Sequence, residues 1–322
     1  MNNLSVVMYH YVRRINNSRY PGIKGLELKD FIEQIKYLKR HYNIITMEEV
    51  IGASQGDEQL PVNSALLTFD DGYAEHFSHV YPVLKKHQLQ GSFYIPAKTV
   101  LENVLLDVNK IHFILASCQD FTQLIKRIRQ KIEEHQQRYQ LRSFEAYYQE
   151  LAIANRFDPA EVIFIKRILQ HALPEQLRNI IADKLFTEFV GMDEAAFSRE
   201  LYMDKSQIEH LISDGMHVGS HGYDHYWWNK LEPLALNQEL DLSLKFLNDV
   251  GADLNNWTAC YPYGSSSEEV VSVLKKKGCR IAFTTVVNTA NLRQESPLLL
   301  PRLDTNDLPK KAGASTNNWY GK

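Results

Sequence analysis

The stretch L-L-T-F-D-D-G-Y, Leu66 to Tyr73, sets the architecture of this chain. From Ser64 to Phe69 the residues suit a strand covered on both faces, and the helical rhythm of Tyr73 to His87 begins at once after it. Toward the N-terminus, V-V-M-Y-H-Y-V, Val6 to Val12, reads as another strand, and Phe31, Ile35, Leu38 and Tyr42 recur at helical spacing between Lys29 and Tyr42. Toward the C-terminus, Gly91 to Ile95 reads as a third strand. This βαβα alternation predicts an α/β fold with a largely parallel sheet.

Between Gly91 and Gly191 there is no glycine, and the segment is crowded with Leu, Ile, Gln, Glu, Lys and Arg, as in F-T-Q-L-I-K-R-I-R-Q-K-I-E-E, Phe121 to Glu134. That rhythm predicts an α-helical insertion over residues 101–200, with Pro159 and Pro174 near helix starts or breaks. Alternation resumes near Asp204. Helices are expected through Ile212, over Glu232 to Val250 and over Glu268 to Lys277, and strands over Met216 to Ser220, Trp257 to Tyr261, Ile281 to Thr285 and Leu298 to Leu303. The tail, residues 310–322, with its Gly, Ser, Asn and Lys, is expected to be loosely ordered.

Composition excludes several classes of function. At 322 residues, 44% hydrophobic and 23% charged, the chain is of ordinary globular make-up and can bury a large core. Its net charge of -3 supplies no basic field for nucleic acid. Cys118, Cys260 and Cys279 form no C-x-x-C pair, so reduced, structural cysteines are expected. The first apolar run is interrupted by His10 and closed by Arg13 and Arg14, which is not the pattern of a secretory leader. No stretch approaches the ~20 apolar residues of a membrane span. A cytoplasmic protein is therefore expected.

Three stretches sit where a parallel α/β sheet keeps its active site, past the C-terminal ends of strands. In T-F-D-D-G the adjacent Asp70 and Asp71 repel one another unless a cation lies between them; the plainer alternative is an N-capping aspartate in a strand-to-helix turn. In G-S-H-G-Y-D-H-Y-W-W, Gly219 to Trp228, two histidines can present nitrogens to one ion and, with one carboxylate oxygen, make a three-ligand site with positions left open. In C-Y-P-Y-G, Cys260 to Gly264, a proline-glycine turn can aim a backbone N–H at a developing oxyanion, or be only a turn. His10, inside the first strand, is either a hydrogen-bonded core histidine or a group facing a cavity.

In this order, T-F-D-D-G, S-H-G-Y-D-H and Y-P-Y-G resemble the polysaccharide deacetylases, the NodB-like carbohydrate esterases, over nearly the whole chain apart from the insertion. The resemblance implies a distorted (β/α) barrel of about seven strands and metal-dependent removal of an N- or O-acetyl group from a sugar. It implies Asp70 as catalytic base, Asp71, His221 and His225 as ligands of a divalent metal, most simply Zn²⁺ with Ni²⁺, Co²⁺ or Mn²⁺ as alternatives, and the Tyr263 backbone amide as oxyanion donor.

The departures from the family pattern are informative. Many members carry an acid histidine late in the chain, whereas no histidine follows His225 here. The branch acting on poly-N-acetylglucosamine is similar to this chain in its early Y-H-x-V strand, Tyr9 to Val12, which makes His10 the candidate general acid. Cys260 stands where the family often has an arginine that orients the base, and Arg302, in P-R-L-D-T-N-D, is the expected replacement, with a surface ion pair to Asp304 or Asp307 as the alternative. Gly222 stands where a serine or threonine is usual, which removes a hydroxyl beside the metal ligands. Of Trp227 and Trp228, one is a candidate for the wall of a sugar site and the other for the core, and His76, His79 and His87 are read as ordinary packing or surface residues. A cytosolic acetylated sugar on the way to a surface glycan is the expected partner; deacetylation of a poly-N-acetylglucosamine-type oligosaccharide, a sugar-binding role without turnover, and assembly or self-association through the helical insertion are the alternatives.

Overall fold

The computed structural model describes residues 3–57, 59–155 and 158–321, and the chain divides into two compact units. The first comprises Met1–Arg14, Gly25–Val104 and Ser198–Lys322, and the second Ile15–Lys24 and Leu105–Phe197.

The first unit is built on seven principal strands, β1 (Asn3–Tyr9), β2 (Ser64–Asp70), β3 (Ser92–Ile95), β4 (His217–Ser220), β5 (Thr258–Cys260), β6 (Ile281–Phe283) and β7 (Leu303–Asp304), and the short strands Asn43–Ile44 and Ala290–Asn291 pair with β2 and β1 in the same sheet. From β1 to β6 each strand lies parallel to the next, with Val6 opposite Leu66, Asp70 opposite Tyr94, Tyr94 opposite Gly219 and Cys260 opposite Phe283. The sheet then curls back on itself. Leu300 bridges Phe283, and β7 pairs in parallel with β1 at Val7 and Met8. This is the expected distorted (β/α) barrel. The predicted strand over Leu298 to Leu303 is shorter than its apolar run because Pro301 has no N–H to give to a ladder.

Side chains alternate across the barrel wall, as the pleat requires. Leu4, Val6, Leu66, Tyr94, Cys260, Ile281, Phe283 and Leu300 form one buried cluster, while their neighbours Val7, Ala65, Leu67, Phe93, Ala259 and Ala282 belong to another that includes residues of the surrounding helices. Asp70 continues the Leu66–Thr68 row and His10 the Val6–Met8 row, so both fall on the face of the wall that carries the first cluster.

Helices Leu28–His41, Pro233–Asp249 and Glu268–Lys276 match the predicted ones within two residues. The segment after β2 is not one uniform helix. Residues His76–Val80 form a π-helical turn before the helix Tyr81–His87, since Pro82 cannot donate to the carbonyl four residues back. The C-terminal segment expected to be loose is held in place. Trp319 and Tyr320 pack on the core, the Tyr320 hydroxyl accepts from Asn63 Nδ2 at 2.9 Å, and Asn317 Nδ2 donates to the Asp307 carbonyl at 2.6 Å. A tail read for its polar residues hides two aromatic anchors.

In the second unit, helices Asp107–Ser117, Phe121–Tyr139, Phe144–Leu151, Ala160–Arg167 and Glu175–Phe189 bury Ile111, Ile114, Ile128, Phe164, Ile181 and Leu185. Its bounds differ from the expected 101–200. The helix Ala97–Glu102 belongs to the barrel, and Ile15–Lys24 joins the helices, where Tyr20 packs edge-on against Phe113 and Phe197.

Candidate active site

Asp70, Asp71, His221, His225 and Arg302 are almost fully buried, and Asp70, Asp71, His221 and His225 lie at or beyond the C-terminal ends of β2 and β4, while Arg302 lies just before β7. Asp70 ends β2. Arg302 grips it with both arms of its guanidinium, Nη1 to Oδ1 at 2.9 Å and Nη2 to Oδ2 at 2.7 Å. Arg302 itself is fixed by Nε donating to the Thr284 carbonyl at 3.0 Å and by Nη1 reaching Thr68 Oγ1 and Cys260 Sγ, each at 3.2 Å. Asp304 and Asp307 instead cap the turn that follows, so the surface ion pair is not formed. Burial alone would raise the Asp70 pKa, but the Arg302 charge, helped by His221, outweighs it and holds the carboxyl at about 2. The pair keeps Asp70 ionised and pointing one way.

Asp71 follows in a left-handed backbone conformation, φ 74°. Its Oδ2 accepts the Tyr73 hydroxyl at 2.6 Å, and its Oδ1 is buried with no hydrogen-bond donor. Facing Oδ1 are Nε2 of His221 at 3.4 Å and Nε2 of His225 at 3.5 Å. His221 places its Nδ1 2.8 Å from the Cys260 carbonyl; a carbonyl only accepts, so Nδ1 carries a proton and Nε2 is the nitrogen that could give a lone pair to a cation. Burial depresses the His225 pKa to about 3, so this ring is neutral, whereas at His221 burial is outweighed by the facing Asp71 and Asp70 carboxylates, which raise its pKa. One carboxylate oxygen and two imidazole nitrogens converge with their ligand atoms within 4.8 Å of one another. A buried oxygen without a donor beside two imidazole nitrogens suits a divalent cation, and this donor set fits Zn²⁺.

Non-glycine residues with positive φ are few among the described residues, and the pattern is telling. Asn63, Gln88, Asn103 and Gln140 occupy turns and helix ends, whereas Asp71, His225 and Tyr263 are all at the site. Backbone strain of this kind persists where surrounding packing enforces it. Tyr263, φ 58°, lies in the turn after β5, its ring edge-on to His225 at 4.7 Å and stacked on Trp227 at 4.6 Å. Trp228 is fully buried, which makes it core rather than wall. His10 lies over Asp70, Nε2 to Oδ2 3.9 Å, with 42% of its side chain exposed.

Residues 57–151 and 185–282 match the sequence profile of the polysaccharide deacetylases. The chain belongs to the polysaccharide deacetylase family. Among the relatives of this chain is the Bacillus subtilis (strain 168) protein YxkH, whose name assigns it to the same family; it is 30% identical over 98 residues, 30% of this chain and 33% of YxkH, so the match spans about a third of that relative's length. The deacetylase PplD of Streptococcus pyogenes, solved with acetate, has a TM-score of 0.57 at 14% identity, covering 95% of this chain and 93% of that one. IcaB of Ammonifex degensii has a TM-score of 0.57 at 18% identity, covering 95% and 92%. At such identities these two structures establish a shared fold.

Three residues of this family member support the site without having been singled out for it. Tyr73 orients Asp71, Cys260 supplies through its carbonyl the acceptor for His221, and His76 is buried with Nε2 2.8 Å from the His10 carbonyl. Burial lowers the His76 pKa to about 4. It is a neutral anchor for the strand end that carries His10.

Proposed function

We propose that this chain is a divalent-metal-dependent deacetylase that hydrolyses the acetyl group of an N-acetylated, or O-acetylated, sugar, and that its substrate is a cytosolic precursor of a surface glycan. The observation that carries the metal reading is the buried, donor-less Asp71 Oδ1 facing two imidazole Nε2 atoms, one residue from an ionised Asp70. Asp71, His221 and His225 would hold the cation, Zn²⁺ in the simplest case. The chemistry such a cation supplies when bound is Lewis acidity at the acetyl carbonyl and a more acidic water.

The remaining work falls to the chain's own groups. Asp70, kept ionised by Arg302, takes the proton of the attacking water. The Tyr263 amide, in its left-handed turn, donates to the oxyanion. His10, on the exposed side of Asp70, returns a proton to the departing nitrogen. The substrate clause rests on Y-P-Y-G-S and P-R-L-D-T-N-D-L, which resemble members tied to surface-polysaccharide synthesis.

The test is acetate release by zinc-loaded protein across nucleotide-linked hexosamines, nonulosonic acids and chitin oligomers. Asp70→Asn is expected to abolish release while keeping the metal, and His221→Ala to lose both. Release from activated sugars alone supports the whole proposal, and release from oligomers alone supports the chemistry but overturns the precursor. Acetate release that persists in Asp70→Asn overturns the assignment of the base.

A further inference from the structure

Three peptide units link His221 to Asp224, and the last two are tied at each edge. The Gly222 carbonyl accepts from Ala97 N at 3.1 Å and the Tyr223 carbonyl from Lys98 N at 2.9 Å, the opening N–H groups of the helix Ala97–Glu102. Their N–H edges, Tyr223 N and Asp224 N, both donate to Oε1 of Glu239, at 2.8 and 2.9 Å. The N–H before them, Gly222 N, donates to Ser220 Oγ at 3.1 Å, and that hydroxyl lies 2.7 Å from Ser243 Oγ. Glu239 and Ser243 sit one turn apart on the buried face of the helix Pro233–Asp249. Three successive N–H groups between the two histidines thus meet oxygens backed by one helix, a cradle of the kind that binds anions.

Glu239 also accounts for the departure at position 222. A Cβ there would stand 2.7 Å from Glu239 Oε1, and Gly222 has φ 80°. The serine or threonine hydroxyl usual in the family has no room, and a carboxylate from another helix occupies the place beside the loop. We propose that Glu239 is a positioning residue for the Asp71, His221 and His225 centre, fixing the backbone between the two imidazoles so that both Nε2 atoms meet Asp71 Oδ1. This rests on reading that centre as a metal site.

The experiment compares the full-length wild type with Glu239→Ala, Glu239→Gln and Glu239→Asp, with His221→Ala as control. Zn²⁺ affinity is measured by chelator competition, the Co²⁺ absorption spectrum reports ligand geometry, and circular dichroism reports folding. Gln retains an acceptor oxygen at the same reach, so Glu239→Gln is expected within about threefold of wild type, with the same Co²⁺ spectrum. Glu239→Ala is expected to bind Zn²⁺ 10–100-fold more weakly, on the order of other losses of groups that orient metal ligands, with an altered spectrum. If Glu239→Ala fails to fold, Glu239→Asp, whose carboxylate is withdrawn by one methylene, is expected to weaken Zn²⁺ binding while Glu239→Gln does not. Wild-type affinity and spectrum in Glu239→Ala, or equal loss in the Gln and Asp variants, overturns the positioning role alone. A wild type that binds no better than His221→Ala overturns the metal reading and the role of Glu239 with it.

Discussion

Arg302 and Asp70 form a buried ion pair whose value to the protein is the fixed protonation state of one carboxyl. Such a pair loses about 3–5 kcal/mol when one partner is removed, because the other charge is left uncompensated. Arg302→Met is therefore expected to lower stability strongly, and Arg302→Lys, which keeps a charge but not the two-armed grip, to lower it less. The sign of the pH effect follows from the depressed folded pKa of Asp70. Its stabilising contribution is present above the ordinary carboxyl value and is lost as pH falls toward about 2. Lysine keeps the charge but loses the two hydrogen bonds to the carboxylate, so burial is less strongly opposed, the Asp70 pKa rises, and the acid limb of kcat/KM in Arg302→Lys should move to higher pH. An unmoved limb would show that Asp70 does not set it. His10 poses a different question at the same scale, since it stands 3.9 Å from Asp70 and is open to solvent. His10→Ala should slow an amide substrate about 10²–10⁴-fold, the range of general acid catalysis, and a matched ester less, because an alkoxide departs with less need of a proton. Equal losses measured on the two substrates would exclude the acid role.

Between the residues and the barrel stand the strand ends, and β4 shows how little room they leave. A Cβ on Gly219 would lie 2.5 Å from Tyr94 Cε1 and 2.8 Å from the Thr258 carbonyl, between two strands already joined by a Tyr94–Thr258 hydroxyl contact of 3.0 Å. Gly219→Ala should cost about 1–3 kcal/mol through overpacking, read as a lowered melting temperature of the metal-free protein. An unchanged melt would mean that β3 and β5 can part at no cost. The same elements show what the sequence reveals and what it hides. The strands that carry Asp70, His221 and Cys260 are readable because each is a short apolar run ended by a turn, and the ligands fall where such runs stop. Arg302 is readable only as a candidate, since a guanidinium in P-R-L-D-T-N-D has three aspartate partners to choose from and the choice depends on how Leu300 and β7 close the barrel. Glu239 and His76 are hidden because their roles lie in backbone N–H and carbonyl groups of distant segments, which no side-chain pattern encodes.

At the scale of the whole chain, the helical insertion is the feature whose bounds the sequence misjudged, and the reason is geometric. Ile15–Lys24 is ten residues of loop with no helical rhythm, yet Tyr20 and the buried Ile15 and Ile23 give it to the unit of Leu105–Phe197. The barrel's own chain ends at this insertion are close together: Ser198 Oγ donates to the Val104 carbonyl at 2.9 Å. Joining them directly needs only a short loop, whose closure entropy is small and varies slowly with length. A chain in which Leu105–Phe197 is replaced by a short Gly/Ser linker is therefore expected to retain a cooperative melt and one bound Zn²⁺ per chain, with Ile15→Ser and Ile23→Ser included to remove apolar groups left without the helices. Asp71, His221 and His225, with Asp70 and Arg302, all lie in the barrel unit and keep every hydrogen bond described for them. If the shortened chain melts cooperatively and binds metal but no longer releases acetate, the helical unit serves the substrate rather than the barrel. Loss of cooperative melting would instead show that the seven strands draw their stability from the helical unit.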